Sequence, residues 1–403
     1  MSTAITWMLP DKLGGVYNFV ANLLAYRERD GATYHAILAQ NLGDPDDPSD
    51  ADLRAEVSRI SYRLPPENFR SVLRRLAAEV PTGKGAIVAN DWLSLAMASA
   101  HDTGKAIVYV NHGDFDHYYD LAVMHEATID VFITYTNRMH RRLNELLPHR
   151  ADDILCIRYG VEIPNAAPRP VSDDLRLLYV GRLDPSKGIF DLPGIDAILK
   201  SSGMSHSWTI QGPGPAQSEL KERWGNPDHV RWFGRSTMEH VKCQYLEHDI
   251  LVMPSRAEGL PVALLEGMAG GCVPVVSDLP SGIPEIIENG VSGFRVATGD
   301  VPGFADAILR LASDRGALRS MSEQARARVE SRFNIVVQAP EYQRAILAAS
   351  ERPRRWSRSN VFHGSRLDQP WLPNIVVKSA RSLRHGLQRF RRSPLDTSTK
   401  GGA

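Results

Sequence analysis

Four charged side chains, three in two loops and one in the helix that follows the second, carry the most pointed chemistry of this sequence. Arg182 and Lys187 stand five positions apart in Gly181-Arg182-Leu183-Asp184-Pro185-Ser186-Lys187-Gly188. A guanidinium can grip a diphosphate as a fork, and an ammonium adds a compact positive charge. Glu258 lies in the turn Pro254-Ser255-Arg256-Ala257-Glu258-Gly259-Leu260-Pro261, and Glu266 in the helical run VALLEGMAGG that follows. Carboxylates accept hydrogen bonds from the vicinal hydroxyls of a ribose or a hexose. Pro261 suits a helix entry, whose free amides meet an anion lying between two such sugars. Taken alone, Arg182 and Lys187 would read as solvated surface charges. With the acidic loop they read as a site for a ligand ordered diol, diphosphate, diol.

Further candidates sit at other strand ends. Gly14-Gly15 follows the first apolar run and opens a helix near Val16, so amides there can approach a phosphate with no Cβ in the way. The pair lacks G-x-G-x-x-G spacing, which argues against a dinucleotide cofactor, and such a pair is more often a tight turn alone. His112 ends the run AIVYVN, Asp91 follows AIVAN, and Asp114-Phe115-Asp116 spells D-x-D beside His117 and Asp120. A divalent cation bridging that D-x-D to a diphosphate is the sharper reading. We expect no metal, because Arg182, Lys187 and a helix terminus already neutralise the anion. Asp91 is expected to contact an acceptor, and Asp114 to do so or to order its loop.

These residues need a frame that gathers strand ends. Short apolar runs rich in β-formers occur at 4–9, 34–39, 86–90, 106–111, 131–136 and 154–159, with helical patterns between them, as in parallel strands buried on both faces. The proline-rich polar segment 164–174 reads as a linker. The alternation restarts at 175–181, 208–212, 230–234, 249–254, 273–277 and 293–296. The expected architecture is α/β, with two Rossmann-like doubly wound domains facing across a cleft at the strand carboxyl ends, where such sheets bind ligands. The first domain is placed at 1–165 and the second at 166–335. A helix at 336–351 returns to the first domain, and 352–403 is a tail.

The chain has 403 residues, 43% hydrophobic and 23% charged, enough for a core in each domain and incompatible with wholesale disorder. Lys plus Arg equals Asp plus Glu at 47 each, so no nucleic-acid partner is indicated. That balance hides an asymmetry: from Glu351 onward there are twelve basic residues and three acidic ones. Within 371–392, Trp371, Ile375, Val376, Leu383, Leu387 and Phe390 alternate with Lys378, Arg381, Arg384 and Arg389. This pattern fits a basic helix lying on an anionic membrane surface, a helix docked on the acidic body, or a segment without order. Cys156, Cys243 and Cys272 lack the spacing of a disulfide framework or a zinc site. No signal peptide or long apolar run is visible, so the expected location is cytoplasmic, with peripheral attachment at the inner face of the membrane.

The strings GRLDPSKGI, GPGP, FGR, PSRAEGLPVALLEGMAGGCVPVV and GIPEIIENGVSGF, in this order, resemble the retaining glycosyltransferases of the GT-B type, family 4, or glycosyl transferases group 1. The resemblance runs from Gly14-Gly15 to about Tyr342, and its most specific part is the spacing of Glu258 and Glu266. It implies that Arg182 and Lys187 hold the diphosphate of a nucleotide-sugar donor. Glu266 would hold its ribose hydroxyls and Glu258 the transferred sugar, with amides of Gly259 and Leu260 nearby and Gly14 and Gly15 across the cleft. His112 matches a family position beside the reacting sugar, where its ring would bond a hydroxyl or its carbonyl would face developing positive charge. Tyr159-Gly160-Val161-Glu162 departs from the usual Asn-Gly-Val-Asp, and the tail beyond Arg352 has no counterpart. The implied activity is metal-independent hexosyl transfer, with retention and no cofactor, to a glycan or lipid-linked acceptor in cell-surface polysaccharide or glycoconjugate synthesis. Two rivals are a nucleotide-sugar epimerase, which would form product without an acceptor, and a non-catalytic scaffold, which would have no use for a complete site.

Overall fold

Continuous apolar runs need cover on both faces, and here they become the inner strands of two parallel sheets. The structure, a computed structural model, describes residues 3–12, 14–43, 53–64, 66–165, 174–356, 365, 367–369 and 372–381. The first sheet holds β1 (Ala4–Pro10), β2 (Thr33–Asn41), β3 (Glu56–Tyr62), β4 (Gly85–Ala89), β5 (Ala106–Val110), β6 (Val131–Thr134) and β7 (Ile154–Cys156). They lie in the order β3-β2-β1-β4-β5-β6-β7. Its helices are α1 (Gly15–Ala25), α2 (Phe69–Ala78), α3 (Trp92–Ala100), α4 (Asp116–Met124) and α5 (Asn137–Leu146).

The second sheet holds β8 (Leu175–Val180), β9 (His206–Gln211), β10 (Val230–Phe233), β11 (Ile250–Met253), β12 (Val273–Ser277) and β13 (Phe294–Val296), in the order β10-β9-β8-β11-β12-β13. With it go α6 (Leu192–Ser201), α7 (Gln217–Trp224), α8 (Met238–Glu247), α9 (Val262–Ala269), α10 (Ile283–Ile286), α11 (Val301–Ser313) and α12 (Arg315–Phe333). Both sheets are doubly wound. The strand that periodicity did not indicate is β3. Its sequence EVSRISY alternates at the sheet edge with only Ile60 and Tyr62 buried, so it leaves no apolar run to read.

Strand order reverses between β1 and β4 and again between β8 and β11, and loops at such switch points are where doubly wound sheets bind ligands. The chain crosses between domains twice, and the crossings are joined. Val161 N donates to Phe333 O at 2.7 Å, and Ile335 N donates to Val161 O at 2.9 Å. Gly160 fits this joint because a Cβ there would lie 2.8 Å from Ile335 Cα. From the joint α13 (Ile335–Glu351) packs on α1, β4 and β5, with Tyr342 Oη donating to Ile157 O at 2.8 Å. Residues 166–173, most of the segment read as a linker, lie outside the described residues.

The described part of the basic tail runs along the first domain. Arg352 and Arg355 approach Asp153 at 3.4 and 3.3 Å, Arg354 pairs with Asp102, and Trp356 Nε1 donates to Ala98 O at 2.8 Å. A helix over 374–381 buries Val377 and leaves Ile375 and Val376 exposed. Buried Asp368 accepts from Phe69 N and pairs with Arg381, both at 2.6 Å. Arg381 is therefore committed to the protein itself. Trp371 and residues 382–403, with Leu383, Arg384, Leu387, Arg389 and Phe390, lie outside the described residues. No described helix is long and apolar enough to cross a membrane.

Candidate active site

The loops after β8 and β11 pack directly on one another. Gly188 has φ +64, a left-handed conformation that favours glycine, and a Cβ on it would stand 1.8 Å from Pro254 O. Arg256 N donates to Ser186 O at 2.8 Å across the same contact. Lys187 Nζ thereby reaches Glu258 Oε1 at 2.8 Å, and Ser255 Oγ donates to that oxygen at 2.7 Å. Arg182 is the freer cation: its side chain is 67% exposed against 29% for Lys187, and Asp184 is 3.3 Å away. The structure thus brings Lys187 and Glu258 into direct contact, with Arg182 in the same loop as Lys187.

Glu258 precedes α9, and Glu266 projects from within it. Glu266 Oε2 accepts from Tyr245 Oη at 3.2 Å. Burial pushes the Glu266 carboxyl up to about 7, so hydroxyls donating to it would favour its charged form. The Tyr159 hydroxyl is buried without a hydrogen-bond partner, and burial and then the charge of Glu266 raise its pKa. Unmet hydrogen-bonding capacity beside the second acid is what a polar ligand would satisfy. Tyr159 entered the sequence reading only as a departure from the family; no local pattern marks an orphaned hydroxyl.

In the first domain Gly14 caps α1 in extended backbone, φ 168, and a Cβ on Gly14 or Gly15 would meet nothing within 4 Å. Packing therefore does not require glycine at either position, and the space over this helix end is open. Gly15→Ala is expected to leave thermal stability unchanged or slightly higher. It should weaken binding of a nucleoside diphosphate about tenfold, if charge-assisted bonds to these amides are blocked. Calorimetric titration checks this, and unchanged affinity would remove Gly15 from the site.

His112 is held at both ring nitrogens. Asn90 Nδ2 donates to Met8 O at 2.9 Å and to Val88 O at 3.2 Å, so its Oδ1 is the acceptor facing His112 Nε2 at 2.8 Å. The proton therefore sits on Nε2, and Nδ1 accepts from the Tyr135 hydroxyl. Burial pushes the ring down to about 3, leaving it neutral. Of the two roles expected for His112, the ring has no nitrogen left for a sugar hydroxyl, and the backbone carbonyl remains. Sequence reasoning selected Asp91, one position past the residue that does the holding.

Asp91 caps α3, its Oδ1 accepting from Ser94 N at 2.8 Å, and burial pushes its pKa up. The Asp114 side chain is 3% exposed, bonded by Arg138 Nε at 2.6 Å and the Tyr119 hydroxyl at 2.7 Å, with Arg142 at 3.5 Å. Arg142 also pairs with Asp116. The acceptor contact expected of Asp114 is thus displaced by its alternative, loop ordering. A guanidinium occupies the D-x-D, which suits neither carboxylate for a cation.

Among the described residues, Asp196, His206 and His229 have the spacing of a metal-ligand group. His206 opens β9 and His229 immediately precedes β10, and Asp196 reaches both from within α6, at the strand ends away from the carboxyl-end cleft. Asp196 Oδ1 is bonded by His206 Nε2 at 2.7 Å, His229 Nε2 at 2.8 Å and Trp208 Nε1 at 3.0 Å, and Oδ2 by Trp224 Nε1 at 3.0 Å. Lys200 stands 3.3 Å from Oδ2. The carboxylate is saturated by donors from β9, α7, α6 and the turn before β10, and we read it as a buried structural anion.

Two doubly wound domains, with a cation and acid cluster at the second switch point, make this a GT-B fold. Residues 165–328 match the family model described as glycosyl transferases group 1. It is 36% identical over 186 residues to the amylovoran biosynthesis glycosyltransferase AmsK of Erwinia amylovora, covering 44% of each chain. It is 33% identical over 196 residues to the putative colanic acid biosynthesis glycosyltransferase WcaL of Escherichia coli strain K12, covering 45% of this chain and 48% of that one. The chain matches about half the length of these curated relatives. HepE of Anabaena, solved in complex with UDP and glucose, shares the fold with a TM-score of 0.68 at 17% identity, covering 86% of this chain and 100% of that one.

Proposed function

We propose that this protein transfers a glycosyl group from a nucleotide-diphosphate sugar to a hydroxyl of a glycan or lipid-linked acceptor, with retention, in cell-surface polysaccharide or glycoconjugate synthesis. The observation that carries it is the contact of Lys187, Ser255 and Glu258 at the β8/β11 switch point. The polysaccharide context draws on the names of AmsK and WcaL, and UDP as first probe on HepE. Arg182, Lys187 and the amides leading into α9 would take up the charge of the leaving diphosphate. Before the donor arrives Lys187 is held by Glu258, so the diphosphate competes for the ammonium and frees the carboxylate for sugar hydroxyls. As the anomeric C–O bond to phosphate breaks, the acceptor oxygen bonds the same face and its proton passes to the departing phosphate. Neutralisation without a metal accords with Arg142 lying on Asp114 and Asp116.

A panel of nucleotide sugars read by thermal shift tests the donor, because a ligand at about 100 times its Kd adds about 2.7 kcal/mol to stability. Transfer should then require an added acceptor. Product without acceptor would mean an epimerase, and binding of no member of the panel a scaffold.

We also propose a reducing, cytoplasmic setting, in keeping with three free cysteines, and peripheral attachment to an anionic membrane. Exposed Ile375 and Val376 and the half-exposed Lys378 support the attachment. Ile375→Asp combined with Val376→Asp should reduce sedimentation with phosphatidylglycerol-containing vesicles; equal sedimentation would dispose of the idea.

A further inference from the structure

The second domain reaches across the cleft to complete a helix of the first. The leading N–H groups of α5 have no partners within their own helix. Thr136 Oγ1 accepts from Met139 N at 3.1 Å. The two amides before it, Asn137 N and Arg138 N, donate to Oε2 and Oε1 of Glu285, each at 2.9 Å. Glu285 sits in α10, which follows Gly282. A Cβ on Gly282 would lie 3.0 Å from both Leu260 Cδ1 and Thr136 Cγ2, and Gly282 N donates to Gly259 O at 3.1 Å. α5 in turn holds the loop after β5 through Arg138 and Asp114, and a Cβ on Gly259 would lie 3.1 Å from Asp114 N.

We propose that Glu285 is a positioning residue, a clamp that closes the two domains and sets the His112–Asp114 loop against the donor turn. The proposal rests on reading the cleft as the place where donor and acceptor meet. A carboxylate at a helix N-terminus is attracted by the amides and by the helix dipole together. Because carboxylate and helix belong to different domains, that attraction exists only in the closed arrangement and biases the open–closed equilibrium. It does not hold either domain together. α10 is secured from its own side by Arg328 Nε, which donates to Ile286 O at 2.6 Å, and the third amide of α5 keeps its own cap in Thr136.

The test compares the full chain with Glu285→Ala and Glu285→Gln. Small-angle scattering should show a larger radius of gyration for Glu285→Ala, one that saturating UDP does not restore to the wild-type value. UDP affinity should fall by no more than about threefold, because the donor loops stay intact, whereas kcat should fall about tenfold from the lost closed population. Glu285→Gln, which keeps one acceptor oxygen, should lie between. A wild-type radius in Glu285→Ala overturns the clamp, and an expanded variant with wild-type kcat overturns its positioning role. Should no nucleotide sugar prove to be a substrate, the scattering comparison still decides the clamp, so the two readings fail separately.

Discussion

Lys187→Ala is expected to lower kcat/KM for the sugar nucleotide by about 10²–10³-fold, the scale of removing one preorganised charge that meets developing negative charge. The fold should survive. Lys187 lies in an exposed turn, its side chain belongs to no core, and its ion-pair partner is Glu258. Glu258 keeps Ser255 when the ammonium is gone. Arg182 cannot replace it, because Arg182 is mostly exposed and sits beside Asp184. Lys187→Arg should be no rescue, since the ammonium occupies a contact closed by Gly188 against Pro254, where a forked guanidinium is not an equivalent. Glu258→Ala should lose a comparable factor through the sugar. Either variant with a full transfer rate and an unchanged melting temperature would break the assignment.

Asp196→Asn is expected to destabilise the chain by about 3–5 kcal/mol, the usual effect of removing one partner from a buried ionic group. An asparagine would turn an N–H₂ toward donors that now share a carboxylate. UDP affinity should be spared, because the cluster lies at the opposite strand end from the donor loops. The loss should depend on pH with a definite sign. Burial pushes the Asp196 carboxyl up, but hydrogen bonds from His206, Trp224 and His229 outweigh it and hold the group below the ordinary carboxylate range. Burial likewise pushes His206 down, and its bond to Asp196 outweighs that and raises it.

A depressed carboxylate contributes stability that is present above its unfolded pKa of about 3.9 and lost as pH falls through the folded value. A raised imidazole contributes stability that is present below about 6.5 and lost as pH rises through the folded value. The difference between wild type and Asp196→Asn should therefore be largest between about pH 4 and 6.5 and shrink on either side. Urea unfolding at stepped pH measures it, and a flat difference would contradict this account of the cluster.

Sequence alone determined the two-sheet frame, because strands buried on both faces must be apolar at nearly every position and so leave a local record. β3 escaped for the complementary reason: at an edge, two buried residues suffice. Residue type and spacing also singled out Lys187 and Glu258, which the packed loops bring into contact, because few side chains are suited to a diphosphate or a diol. Partnership was another matter. Asn90 and Tyr135 stand 22 and 23 residues from His112, and Glu285 stands 148 from Asn137. Asp114-Phe115-Asp116 reads the same whether a cation or Arg142 fills it, and the basic tail reads the same whether Arg381 meets lipid or Asp368. Burial leaves a periodic trace along the chain. The choice of hydrogen-bond partner leaves none, because it is settled by which strand ends and helix ends the packed sheets bring within about 3 Å.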